Sequence, residues 1–241
     1  MAPRDWRNPE DYAHLPGLDH SSLAWEFLRR NSRYQSAYEA SSRRSAETSA
    51  RPFGLRFAID PARESAEAAV FWRIDIAPAH ALALTRSTLG GVTAAELQAI
   101  VLARTSSADG LWLKLPLGLQ VVIPRDAETG GPLALTTPLD RHLGARLSAA
   151  EALRRLIEGL PQPAPSRSML SRRRATLMLR ACDGRAGGAS YREVATHLLA
   201  AAPEGGAAWR VSNARDVAIR LCRAAQRAVK DGYLRLLAQR R

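Results

Sequence analysis

The chain has 241 residues, 46% of them hydrophobic, and a formal net charge of +12. That length and apolar content build one large core or two to three small ones, which excludes a disordered polypeptide. No run approaches the roughly 18 apolar residues of a membrane span, and the start Met1-Ala-Pro-Arg-Asp-Trp-Arg is too polar for a secretory signal, so a cytoplasmic protein without membrane contact is expected.

Residues 1–50 read as a small helical module. The turn-rich entry Trp6-Arg-Asn-Pro-Glu-Asp-Tyr12 leads to a helix over 21–30, where Leu23 and Phe27, then Trp25 and Leu28, recur at helical spacing. A second helix carries Tyr34, Ala37 and Tyr38 and dissolves into a Ser/Arg/Ala joint at 41–50. From 51 to 160 the pattern changes to short runs bounded by Pro, Gly and Asp, which predicts strands at 53–59, 69–76, 81–85, 111–115, 119–123 and 133–136. Thr93-Ala-Ala-Glu96 and Ser148-Ala-Ala-Glu151 match capping boxes and each predicts a helix start. The fold class is therefore α+β, with an all-α segment at 167–241 after the proline-rich linker at 161–166.

Three helices are predicted beyond that linker. The first covers 167–182 and ends at Asp183-Gly-Arg-Ala-Gly-Gly-Ala189, with Met169, Leu170, Leu177, Met178 and Ala181 available for a core. Ser190-Tyr-Arg-Glu193 is a third capping box and opens the second helix. A loop at 202–211 containing Trp209, which can pin it to the core, leads to Ser212 and Asn213, either of which can cap the third helix, 213–231. At about 100° per residue, with Asp216 at zero, Arg220, Arg223, Arg227 and Lys230 all fall within about 40° of it, while Val217, Leu221, Ala225, Ala228 and Val229 fall on the opposite side. Four aligned cations repel one another at i, i+3 and i+4 unless an anion relieves them.

The charge is concentrated in the same region. From 162 to 241 there are 16 basic residues (15 Arg and Lys230) against 5 acidic ones, a net +11, and the first 161 residues carry only +1. Such asymmetry is the footprint of a polyanion. The length of the cationic stripe suits the major groove or a row of phosphates, and Ser190, Arg192, Ser212, Asn213, Arg215, Arg220, Arg223, Arg227 and Lys230 are the candidate DNA-contacting residues. The arrangement is helix-turn-helix-like, although the loop at 202–211 exceeds the usual turn of about three or four residues.

Enzymatic chemistry has little to stand on. Phosphate-loop, His-Glu-x-x-His, Cys-x-x-Cys and Gly-x-Ser-x-Gly motifs are absent. The five histidines are scattered singly, so no metal, cofactor or catalytic residue is expected. His142-Leu-Gly-Ala-Arg146 has the wrong spacing for a tyrosine recombinase, and Tyr233 is expected to pack the end of the third helix. Cys182 and Cys222 are read as buried thiols.

Asp183-Gly-Arg-Ala-Gly-Gly-Ala-Ser-Tyr-Arg-Glu-Val-Ala195, followed by Trp209, an Arg-rich helix, Asp231-Gly-Tyr233 and Leu236-Leu237, resembles the DNA-binding domain of the RovC-type regulators of proteobacteria. Trp6-Arg-Asn-Pro-Glu-Asp-Tyr12 with Ala24-Trp-Glu-Phe-Leu-Arg-Arg-Asn31 is similar to the regulator-like domain that often precedes it, and Phe71-Trp72 is similar to the middle region. Asp231 departs from the family, which commonly has a second Gly there. The resemblance implies a transcriptional regulator, for example an activator of type VI secretion genes or of transfer genes on integrative elements. It also implies promoter DNA as partner, while some relatives act as antiactivators through protein contact. RNA polymerase and a second copy of the chain are the further partners expected, and residues 166–241 are expected to fold and bind duplex DNA alone.

Overall fold

The computed structural model describes residues 4–41, 46–162, 169–201 and 206–238. The linker from residue 163, the joint at 42–45 and the loop at 202–205 lie outside them, as do the side chains of Met169 and Leu170. In chain order the elements are α1 (His20–Leu28), α2 (Ser32–Ser41), α3 (Ala46–Ala50), β1 (Ala81–Arg86), α4 (Ala94–Gln98), β2 (Ala103–Ser107), β3 (Gly110–Lys114), β4 (Gln120–Ile123), α5 (Arg125–Glu128), β5 (Leu133–Thr136), α6 (Leu143–Ile157), α7 (Met169–Ala186), α8 (Tyr191–Leu198), α9 (Gly206–Arg210), α10 (Asn213–Arg227) and α11 (Leu234–Ala238). The class is α+β. The chain divides into a helical unit, Met1–Leu18 with Pro165–Gly232, and a sheet unit, Asp19–Ala164 with Tyr233–Arg241. These units do not follow the segments 1–50, 51–160 and 167–241: the first 18 residues join the helical unit, and the last nine join the sheet unit.

In the sheet unit the strand order is β2-β3-β4-β1-β5, with β1 and β4 parallel and the other pairs antiparallel. Alternation splits the sheet residues between two faces. Leu82, Leu113, Val121 and Ile123 pack with Leu97 of α4 and with Ala149 and Leu153 of α6, whereas Trp112 and Val122, opposite each other in register, pack with Phe71 and Phe57 on the other face. The strands expected at 53–59 and 69–76 do not form; among the described residues their backbones pair only at an isolated bridge, Leu55 to Trp72. Their backbone is satisfied otherwise: Trp72 N–H donates to Gln120 Oε1 (3.0 Å), and Ile76 N–H closes a local turn on Arg73 O (3.1 Å). Conversely, β2 forms at the sheet edge from Ala103-Arg-Thr-Ser-Ser107, which lacks any apolar alternation to announce it.

Two of the three capping boxes are present in full, at Thr93/Glu96 and Ser190/Glu193. The third is not a helix start. Helix α6 begins at Leu143, so Ser148 lies inside it and donates to Gly144 O (2.9 Å), the back-bonding a mid-helix serine adopts, while Glu151 pairs with Arg154 and Arg155. Tyr233 also differs from expectation. It is buried in the sheet unit, where its hydroxyl donates to Phe53 O (3.0 Å) and its ring lies 6.0 Å from that of Trp72.

The helical unit is built on α7, α8 and α10. Helix α7 runs one turn beyond the expected end, because glycine at 184 does not break it. It stops with Gly188 at φ +85°, where Ala189 N–H donates to Gly184 O (2.9 Å) and Gly188 N–H to Arg185 O (3.2 Å), the paired bonds of a Schellman cap. Gly184 serves packing: a Cβ there would stand 2.7 Å from the Trp6 ring, so only glycine lets the indole lie on the helix. The N-terminal segment is held by further bonds. Tyr12 donates to Asp183 Oδ2 (2.7 Å), and Arg180 donates to Trp6 O (2.8 Å) and Arg7 O (2.6 Å). Trp6, Tyr12 and Leu15 share this unit's core with Leu179, Val194, Leu198, Leu221 and Ala225.

Candidate nucleic-acid interface

Helix α10 decides how the cations are displayed. Its buried residues are Ala218, Leu221, Cys222 and Ala225, which centre at about 190° from Asp216. Val217 is half-buried; the apolar stripe is rotated toward Ala218 and Cys222 relative to the sequence-based list because α10 packs against α7 and α8 together. Arg220, Arg223 and Arg227 lie on the far side and are exposed. Among the described residues none of the three is paired with a carboxylate. Lys230 is exposed too, but α10 gives way after Arg227 to a wide π-type turn, Ala228–Gly232, so α-helical spacing no longer fixes its place on the stripe.

At the start of α10 the cap is Ser212, whose Oγ accepts from Arg215 N–H (3.2 Å) and donates to Trp209 O (3.1 Å). Its hydroxyl is committed to the backbone. Asn213, at the first helical position, is exposed. Arg215 occupies the third helical position, where α4 and α8 both place a glutamate. A cation there opposes the helix dipole, a cost that a bound anion or base acceptor offsets. Its contact with Asp216 is long, 3.4 Å, and both side chains are well exposed, so the pair stabilises little.

In α8, Ser190 accepts from Glu193 N–H (3.2 Å) and its own N–H donates to the Glu193 carboxylate (2.7 Å); these bonds hold that carboxyl below the usual carboxylate range. Ser190 is exposed but serves as a cap. The Arg192 guanidinium stacks over the Trp209 ring at 5.6 Å, which fastens α9 to α8. The expected loop thus contains a short helix, and its tryptophan is half-buried as a pin.

The arginines of this unit fall into two groups that charge counting could not separate. Arg172, Arg180 and Arg185 donate to the carbonyls of Pro16, of Trp6 and Arg7, and of Ala189, so they hold the fold. Arg173, Arg174, Arg192, Arg210, Arg220, Arg223 and Arg227 are exposed. Of these, Arg173, Arg174 and Arg210 were not singled out in the sequence, and neither was Val211, an exposed apolar residue beside the cap of α10. Cys222 is a buried thiol pushed up by burial, and Cys182 is half-buried, not buried as expected. Among the described residues no helix is long and apolar enough to cross a membrane.

Two family models match the chain, and they define its class: a transcriptional regulator with a DNA-binding domain. Residues 136–238 match the RovC DNA-binding domain, described as "T6SS, Transcription factor, DNA binding domain", and residues 5–58 match the "Proteobacterial transcriptional regulator-like domain". The two matches agree with the two-domain description of the RovC-type proteobacterial regulators that the sequence resembles. No curated protein matches it. Each matched segment is shared between the two compact units: 5–58 divides at Leu18, and 136–238 takes α6 and α11 from the sheet unit and α7 to α10 from the helical unit.

Proposed function

We propose that the chain is a sequence-specific DNA-binding activator whose α10 lies against duplex DNA. The observation that carries this reading is the row Arg220, Arg223 and Arg227, exposed and unmatched by carboxylates among the described residues, opposite a buried face that fixes its direction. Arg215 and Asn213 at the helix start face base edges in this reading, since a recognition helix presents its N-terminal residues to the groove. Arg220 sits at the junction of the two groups. Arg223, Arg227 and Lys230 hold phosphates, and Arg192 of α8 is assigned a further phosphate contact. Ser190 and Ser212 act indirectly, by fixing the helix starts through their cap bonds. Secretion-system genes are the proposed targets because the matched model is described as a T6SS transcription factor. A second copy of the chain and RNA polymerase are the proposed protein partners, and no catalytic role is assigned.

The test is fluorescence anisotropy of the full chain on duplexes enriched from a random pool. Three or four phosphate contacts from α10 alone give a slope of log K against log salt of about −3 or steeper. Affinity for the enriched duplex should also survive excess random competitor. A flat salt response, or loss of all binding to competitor, refutes base-specific reading by α10 and favours an antiactivator that works through protein contact.

A further inference from the structure

We infer that Val211 reads the 5-methyl group of a thymine, adding an apolar contact to the polar ones at the start of α10. The inference rests on the reading of α10 as the DNA helix. Among the described residues of the helical unit, Val211 is the one large apolar side chain in the exposed class, at 88%. It immediately precedes the cap Ser212. A hydrophobe in that position ordinarily packs on the fourth helical residue as a staple. Here the fourth residue is Asp216, which offers no apolar surface, and the exposure of Val211 shows that no staple forms.

Nor is the residue on a loose loop. Val211 N–H donates to Ala208 O (3.3 Å), the next N–H, of Ser212, donates to Trp209 O (3.2 Å), and the Trp209 ring lies under Arg192. A β-branched side chain on a pinned backbone has few rotamers to lose on binding. Its place is also chemically suited. Apolar contact with the thymine methyl is one of the direct base readings of the major groove, and the first residues of a recognition helix make such readings. With Ser212 committed to its cap, Val211, Asn213 and Arg215 bring a methyl-sensing, an amide and a guanidinium group to the start of α10, suited to thymine, adenine and guanine respectively.

The experiment uses the full chain and a duplex enriched from a random pool, in which each thymine is replaced singly by uracil. Uracil keeps every hydrogen-bonding group of thymine and lacks only the methyl. Wild-type protein should lose about four-fold in affinity at one thymine per bound site, the worth of one buried methyl-sized group. Val211→Ala should bind the thymine duplex about four-fold more weakly than wild type and should no longer distinguish thymine from uracil there. A methyl-dependent position that persists in Val211→Ala, or the absence of any such position in the wild type, overturns this inference and leaves the DNA reading intact. A protein that enriches no duplex overturns both.

Discussion

The contact of Trp6 with Gly184 gives a sharp test of whether the N-terminal segment is part of the DNA-binding unit. In an exposed helix interior, Gly→Ala stabilises by about 1 kcal/mol. At position 184 the added Cβ would stand 2.7 Å from Trp6 Cδ2, closer than such contacts occur, and 3.0 Å from Cε2 and Cε3, tighter than most. The indole has little room to retreat. It is 7% exposed, its carbonyl is bound by Arg180, and its ring meets the His197 ring edge-on with centroids 5.5 Å apart. Overpacking of this kind costs about 1–3 kcal/mol, so Gly184→Ala should range from neutral to about 2 kcal/mol destabilising. Trp6→Ala should cost about 3–5 kcal/mol. In the Trp6→Ala background the obstruction is gone, and adding Gly184→Ala should then stabilise by about 1 kcal/mol. The coupling, about 1–3 kcal/mol, is readable from native-state hydrogen exchange of the α7 amides, which isolates this unit from the sheet unit. If Gly184→Ala stabilises equally in both backgrounds, residues 5–18 do not pack on α7 and are not part of the DNA-binding unit. A corollary is that a 166–241 fragment, lacking Trp6, Tyr12 and Leu15, should show weaker α7 protection than the full chain.

Other outcomes follow from the same geometry. Arg223→Ala and Arg227→Ala should each flatten the salt slope by about one unit and weaken enriched and random duplexes alike, whereas Arg215→Ala should cost about 1–3 kcal/mol at particular base pairs; anisotropy across salt separates the two, and identical behaviour would sink the division of labour. Leu221→Ala, which empties a buried site, should cost about 2–5 kcal/mol, and half-buried Val217→Ala less than about 1.5 kcal/mol, as read by hydrogen exchange of α10; equal losses would contradict the rotated stripe. In the sheet unit, partial burial of Asp109 is outweighed by hydrogen bonds from Arg56, Ser107 and Trp112, which hold its carboxyl down to about 2, from an ordinary 3.8. A depressed carboxyl stabilises the folded state above its unfolded value, so this contribution should fade as pH drops from about 4 through about 2. The Asp109→Asn variant should lack that component, and urea midpoints at pH 5 and pH 2.5 that shift equally in both proteins would refute it.

The features legible in the sequence are those fixed within a few residues. The caps at Thr93 and Ser190 depend on bonds across three positions, and the opposition of cations and apolar residues on α10 depends only on helical spacing. Where the same local signal failed, a neighbouring segment had already supplied the partner: Ser148 could not cap a helix that began at Leu143, and the apolar runs at 53–59 and 69–76 had their backbone groups engaged in turns and by Gln120. Polar β2 carried no signal because its strand character comes from pairing with β3.

Composition and spacing located the excess charge on the C-terminal third of the chain, but only the tertiary structure decided which cations are free to meet a polyanion. Arg180 and Arg220 are the same residue type on helices of one unit. Arg180 is bound to carbonyls of residues 6 and 7, more than 170 positions away, whereas Arg220 points to solvent. Caps and stripes are set by bonds and rotations along a single helix, so a sequence read a few residues at a time contains them. The fate of a guanidinium depends on whether a distant stretch of backbone brings unsatisfied carbonyls to it, and that becomes known only when the chain has folded back on itself.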